Sequence, residues 1–100
     1  MVKHIILWKL KDSIPAEEKT SVRKNIKSAL ESLLGVVPGL TDIRVQIDSL
    51  PSSNADLMLD STFESFDALK SYAVHPAHVA AADSAVLPFT QTRLCLDFEA

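Results

Sequence analysis

The chain begins with a segment in which apolar side chains point to both sides of a predicted strand. Over residues 2–11 the first side carries His4, Ile6, Trp8 and Leu10, and the other side carries Ile5 and Leu7. Side chains alternate between the two faces of a strand, and an antiparallel strand usually leaves one face to water. The pattern therefore predicts a strand that is covered on both faces.

A helical pattern follows this strand. Pro15 suits a first helical turn, and Gly35 is typical of a helix end. Between them, apolar residues recur at helical spacing, at Val22, Ile26, Ala29, Leu30, Leu33 and Leu34. The segment is predicted to be one amphipathic helix from about Pro15 to Leu34.

Two more strands come next along the chain. Residues 42–48 alternate strictly, and residues 56–63 alternate as well, which is typical of half-buried strands. The predicted buried faces hold Ile43, Val45 and Ile47 in the first strand, and Leu57, Leu59, Ser61 and Phe63 in the second.

Pro76 divides the second helical region. Ser65 is a candidate N-cap for a helix that contains Phe66, Leu69, Tyr72 and Ala73. The residue before a proline is disfavoured in the helical region, so a second short helix is expected at roughly 76–86. A last strand over 90–100 places Leu94, Leu96 and Phe98 on one face, against Arg93, Cys95 and Asp97.

This order of elements predicts an α+β, ferredoxin-like βαββαβ protomer with an antiparallel four-stranded sheet. Its helices cover one face only. The other face keeps Ile5, Leu7, Met58, Leu94 and Leu96, and burying each such side chain stabilises by roughly 1.5–3 kcal/mol. We therefore predict a homodimer, sheet face to sheet face, with a polar part where Asp56 and Asp60 flank Met58.

Length and charge narrow the function classes. One hundred residues with a net charge of −3 and mixed signs fit one domain, residues 1–100, without the basic stripe of a nucleic-acid or membrane-surface binder. The apolar N-terminal stretch is too short for a membrane span and lacks a cleavage site, so a cytoplasmic protein is expected. Cys95, the single cysteine, has no intrachain disulfide partner.

The segment YAVHPAHV, residues 72–79, concentrates the candidate chemistry, since it holds the single tyrosine and two of the three histidines. A neutral His78 can accept a carbon-bound proton near neutral pH, and the dipole of a helix that starts at Pro76 is expected to lower its pKa. Tyr72 can donate a hydrogen bond to a developing enolate. His4 shares a strand face with Ile6 and points towards the same helices.

Structural readings of these residues stay open. His75 can cap the second helix, while His78, Tyr72 and His4 can be core groups with satisfied hydrogen bonds. His75 and His78 are split by a proline, and no carboxylate or cysteine stands at ligand-like spacing, so no metal site is predicted. Without a glycine-rich phosphate loop or a haem or flavin motif, no cofactor is expected either.

Four stretches, VKHIILWKLKD, VPGL, TFESFDALKSYAVHPAHV and LDFE, resemble the stress-responsive dimeric α/β-barrel (Dabb) family. The resemblance implies a dimeric α+β barrel over the whole chain. The family includes plant stress-response proteins and a polyketide cyclase. By the resemblance, His78 matches the general base of that cyclase, Tyr72 a substrate-orienting residue and His4 a pocket residue. The remaining predicted substrate-binding residues are Ile6, Trp8, Val22, Ile26, Leu59 and His75.

Three functions follow as alternatives. The first is a cofactor-independent cyclase, lyase or isomerase acting on a small hydrophobic or polyketide-like molecule. The second is a non-catalytic stress or binding protein whose histidines are structural. The third, from fold analogy, is a monooxygenase-like activity. An enclosed void at His78 and Tyr72 would favour the first, whereas Trp8, Val22 and Ile26 filling that space would favour the second.

Overall fold

The computed structural model describes residues 1–100 and contains four strands and three α-helices in the predicted order. The strands are β1 (Val2–Leu10), β2 (Leu40–Gln46), β3 (Leu57–Phe63) and β4 (Thr90–Glu99). The helices are α1 (Ala16–Glu31), α2 (Phe66–Val74) and α3 (Pro76–Ala81). A π-helical turn (Ala82–Val86) and a 3-10 turn (Leu87–Phe89) lead from α3 into β4. The βαββαβ order confirms the predicted α+β, ferredoxin-like fold. None of the helices combines the length and apolarity needed to cross a membrane.

The sheet is antiparallel, with the strand order β2-β3-β1-β4. β1 is therefore a central strand, and its residues have neighbours on both sides. His4 lies opposite Ser61 of β3 and opposite Asp97 of β4. This register brings residues from the two ends of the sequence side by side on the helix-facing side of the sheet.

The core lies between the sheet and the helices, as the alternation of the strands predicts. His4, Ile6, Trp8 and Leu10 of β1 are all buried. They pack with the apolar stripe of α1, which is buried at Val22, Ile26 and Leu30. One continuous apolar cluster results, so the helix-facing side of β1, β2 and β3 is filled by side chains.

The first helix is shorter than predicted at both ends. Pro15 is the N-cap and not a first-turn residue, and the helix ends at Glu31 instead of near Leu34. The next residues form turns up to Gly35, whose φ of +85° is accessible to glycine at little cost. Leu33 is buried, but Leu34 is exposed. The helical spacing of leucines thus continues past Glu31, because Leu33 is part of a turn but its side chain is still buried in the core.

The second helical region begins and breaks as predicted. Ala68 donates its backbone N–H to the Ser65 hydroxyl, which confirms the N-cap. Leu69 and Tyr72 are buried, but Phe66 and Ala73 are exposed, so the buried face of α2 is narrower than predicted. His75 has an extended backbone before Pro76. The short helix predicted at roughly 76–86 is α3, which ends at Ala81, and a π-helical turn covers the remaining residues up to Val86.

The sheet face opposite the helices is bare in the single chain. Its largest apolar side chains lie on β4, where Leu94 is 64% and Leu96 is 63% exposed, and Phe98 and Leu7 are exposed beside them. Asp60 forms an ion pair with Lys3. Asp56, predicted on this face, instead accepts the backbone N–H of Leu10 and lies 3.9 Å from the Arg23 guanidinium of α1. Asp60 and Lys3 therefore keep a charged pair on the bare face, and Asp56 is bonded at the edge of that face.

Candidate functional site

The proline break brings Tyr72 and His78 into contact. Tyr72 is in the last turn of α2 and His78 in the first turn of α3, and their ring centroids lie 4.3 Å apart at an angle of 41°. His75 stands at the break, where its Nδ1 accepts the backbone N–H of Ala77. His75 thus has the capping role considered for it from sequence. Its part in substrate binding stays a prediction.

The Tyr72 hydroxyl is buried without a hydrogen-bond partner. The residue is 1% exposed, and its ring packs on Phe63 with 4.9 Å between the centroids. Leaving a hydroxyl unpaired in the interior costs about 1–3 kcal/mol, and native proteins seldom accept that cost without a reason. Burial raises the pKa of Tyr72 to about 12, partly opposed by Arg93. The hydroxyl therefore stays protonated and is able to donate.

His78 has the protonation pattern of a general base. Its Nδ1 lies 3.2 Å from the backbone carbonyl of Ala73. A carbonyl oxygen only accepts, so Nδ1 carries the proton of the neutral ring and Nε2 keeps a lone pair. Burial lowers the pKa of His78, the hydrogen bond to the Ala73 carbonyl opposes that shift, and the charge of Arg93 also lowers the pKa. The direction agrees with the sequence expectation, with burial as the largest cause.

His4 forms a hydrogen bond with Asp97, a partner that the sequence patterns did not predict. Its Nδ1 lies 2.5 Å from the Asp97 carboxylate, to which it donates, and its ring meets the ring of Tyr72 edge-on at 6.2 Å. The Cys95 sulfur lies 3.8 Å from the same Nδ1 and 3.5 Å from Asp97 Oδ1. The alternation of the last strand had put Cys95 and Asp97 on one face. Only the pairing of β4 with β1 brings that face to His4.

Arg93 adds positive charge to this side of the sheet. It lies on the same face of β4 as Cys95 and Asp97, opposite Trp8, and it lowers the pKa of both Tyr72 and His78. A positive charge near these two groups favours an anion bound between them. Neither the composition nor a motif marks Arg93, because its role depends on the fold.

The predicted apolar lining residues all belong to the packed core, with exposures of 0–8%: Ile6, Trp8, Val22, Ile26 and Leu59. Their part in substrate binding stays a prediction. A groove of about 330 Å³ instead opens beside the His4–Asp97 pair. It is lined by Val2, Phe66, Asp97, Phe98 and Glu99. The exposed Phe66 of α2 gives this groove an apolar wall on the helix side, while Phe98 reaches the groove from the bare face of the sheet.

The ionisation of Tyr72 gives a direct check of this environment. Burial disfavours the phenolate and raises the pKa of Tyr72 from the ordinary value of 10.0 to about 12. We therefore expect half of the Tyr72 hydroxyls to be ionised at about pH 12. Tyr72 is the single tyrosine, so an ultraviolet titration of the tyrosinate band reports on this residue alone. Ionisation near pH 10 in the folded protein, with circular dichroism unchanged, would contradict a buried and unpaired hydroxyl.

Comparison with solved structures identifies close likenesses of the fold. A dimeric protein of unknown function from Bacteroides fragilis, with a ferredoxin-like fold, has a TM-score of 0.91 and 37% identity, over 99% of this chain and 95% of its own. Among curated proteins, a stress-response A/B barrel domain-containing protein of Arabidopsis thaliana is 33% identical over 98% of this chain. The chain spans 36% of the length of that plant protein.

A second curated relative is an enzyme. Olivetolic acid cyclase of Cannabis sativa is 29% identical over 82% of this chain and 80% of its own length. The family profile described as Stress responsive A/B Barrel Domain matches residues 2–100. With nearly every residue covered by that match, the chain belongs to the stress-responsive A/B barrel domain (Dabb) family.

Proposed function

We propose that this protein binds a small β-dicarbonyl or polyketide-like molecule at the Tyr72–His78 pair and moves a proton on it without a cofactor. The observation that carries the proposal is the Tyr72 hydroxyl, which is buried, protonated and without a partner. A bound carbonyl oxygen would supply the missing acceptor. The relationship to olivetolic acid cyclase adds support, since that relative is a cyclase.

The proposed step uses three groups of the chain. His78 Nε2 takes a proton from the carbon between two carbonyl groups, and the electron pair of that C–H bond moves onto a carbonyl oxygen. The Tyr72 hydroxyl donates a hydrogen bond to the resulting enolate. His78 can then return the proton to carbon, or the enolate can attack a second carbonyl. Arg93 favours the anionic intermediate by its charge.

His4 and Asp97 are positioning residues in this proposal. The Asp97 carboxylate fixes the Nδ1–H tautomer and the ring orientation of His4. His4 in turn lies edge-on to Tyr72 and limits where that ring can move. The groove beside Asp97, with Val2 and Phe66 on its helix side, is the proposed site for the apolar part of the ligand.

The protein is also proposed to work as a homodimer that buries the bare sheet face. The exposed β4 leucines give the driving force, and the similar Bacteroides protein is described as dimeric. The proposed interface lies on the sheet face opposite His4 and Asp97. Dimerisation therefore covers the apolar face and does not cover the helix side of the sheet.

Proton transfer can be measured before the natural substrate is known. A β-keto thioester dissolved in D₂O exchanges its α-protons for deuterium, and ¹H NMR follows the loss of signal. We expect the wild-type protein to raise the exchange rate above that of buffer in proportion to its concentration. An unchanged rate across β-keto thioesters of several chain lengths would count against the proposed chemistry.

A non-catalytic binding or stress protein is the second candidate. The observation in its favour is the dense packing of Trp8, Val22 and Ile26, which fill the space where an enclosed substrate cavity was considered. In that case Tyr72 and His78 would still bind a ligand, but the exchange rate would equal that of buffer. Binding without exchange thus separates the two candidates.

A further inference from the structure

The His4, Cys95 and Asp97 side chains combine three kinds of metal-binding donor at one point. An imidazole nitrogen, a sulfur and a carboxylate oxygen all lie within 4.8 Å of one another. His4 is a central-strand residue whose side chain is 10% exposed, while Cys95 and Asp97 are on the edge strand, open to solvent. The cluster is thus anchored on one side and accessible on the other.

We propose that these three residues form a binding site for a divalent transition-metal ion of the zinc class. Imidazole, thiolate and carboxylate are the three ligand types of protein zinc sites, and a thiolate selects against magnesium and calcium. The proposal uses neither Tyr72 nor His78 as a ligand. A bound ion would replace the His4–Asp97 hydrogen bond and hold the His4 ring in its place.

The spacing of the donor atoms agrees with this assignment. Around a tetrahedral zinc ion, with bonds of about 2.0–2.3 Å, neighbouring ligand atoms lie about 3.3–3.8 Å apart. The Cys95–Asp97 distance of 3.5 Å lies within this range, and the Cys95–His4 distance of 3.8 Å lies at its upper end. The His4–Asp97 distance of 2.5 Å is a hydrogen bond, and it must widen when a metal ion replaces the shared proton.

The charges of the cluster also fit a dication. A thiolate and a carboxylate together neutralise a doubly charged ion. The bound complex is therefore neutral and does not repel the positive Arg93 on the same face of β4. Solvent access at β4 leaves the fourth coordination position to water or to a ligand of the site.

Cobalt(II) tests this site selectively, because Cys95 is the single cysteine. A thiolate-to-cobalt charge-transfer band in the near ultraviolet can arise only from Cys95. Tag-free, reduced wild-type protein is expected to develop that band, to saturate at one ion per chain, and to lose the band on addition of zinc. Cys95→Ser is expected to abolish it.

Two variants decide whether the other ligands are correct. Asp97→Asn and His4→Gln are each expected to weaken cobalt binding at least tenfold, whereas His75→Ala, a histidine outside the cluster, should titrate like wild type. Asp97 is exposed, so Asp97→Asn keeps the test valid if His4→Gln fails to fold. Absence of the band in wild type, or an unchanged titration of Asp97→Asn, would overturn the site. The readout needs no enzymatic activity, so it is independent of the exchange assay.

Discussion

Replacing His78 with alanine is expected to slow the protein-dependent exchange of β-keto thioester α-protons by about 10²–10⁴-fold, the range over which a positioned general base contributes. The reason is the protonation pattern of the ring. Nδ1 is bonded to the Ala73 carbonyl, and Nε2 is the free basic nitrogen. The measurement is the ¹H NMR exchange rate in D₂O after the buffer rate has been subtracted.

Val74→Ala is the matched control for this variant. Val74 is four residues away at the end of α2 and is exposed, so this change should leave the exchange rate close to wild type. Equal rates for wild type and His78→Ala would show that His78 is not the base.

The exchange rate should also fall as the pH drops, because protonated His78 is no longer a base. Since its pKa is lowered from 6.5, the protein should keep more than half its maximal rate at pH 6.5.

Tyr72→Phe extends the same experiment to the hydrogen-bond donor, with opposite effects on rate and stability. Loss of one donor to a developing oxyanion costs about 10²–10³-fold in rate. The same change removes an unpaired buried hydroxyl, so the unfolding free energy should rise by up to about 1–3 kcal/mol. A structural hydroxyl would behave in the opposite way, with stability lost and rate kept.

The second large effect concerns the bare sheet face. Leu94→Glu combined with Leu96→Glu is expected to convert the dimer to monomers. Each leucine is worth roughly 1.5–3 kcal/mol when buried, and a symmetric interface contains each of them twice, so the loss is about 6 kcal/mol or more. That corresponds to roughly four powers of ten in the dimer dissociation constant.

Sedimentation velocity at micromolar concentration measures this change directly. Leu34→Glu is the matched control, because Leu34 is also exposed but follows α1 on the helix side. It should leave the dimer intact. A wild-type protein that sediments as a folded monomer at these concentrations would show that the β4 leucines have another purpose.

The strands and the fold class were predictable because alternation is a local property. His4, Ile6, Trp8 and Leu10 had to share a face wherever the strand lay, and all four are buried. The last residue of α1 was not predictable. Leu33 lies in the turn after the helix, but its side chain is buried, so the helical spacing of apolar residues continues beyond the helix.

The candidate site was predictable only in part. The Tyr72–His78 contact follows from one proline in a short segment, so the sequence indicates it. The His4–Asp97 pair joins residues 93 positions apart, and it depends on β4 being the neighbour of β1. The proposed metal site has no sequence signature for the same reason: Cys95 and Asp97 are two residues apart, but His4 joins them only across the β1–β4 pair. Val22 and Ile26 belong to the core, and their predicted contact with a ligand stays a prediction.

A crystal structure of the protein with a non-reactive β-diketone bound would show whether Tyr72 and His78 hold the ligand together. We expect one ligand per chain on the helix side of the sheet, with a ligand oxygen within about 2.6–3.2 Å of the Tyr72 hydroxyl and the central carbon facing His78 Nε2. A ligand held between the two sheets, with the Tyr72 hydroxyl still unpaired, would rule out the proposed binding mode.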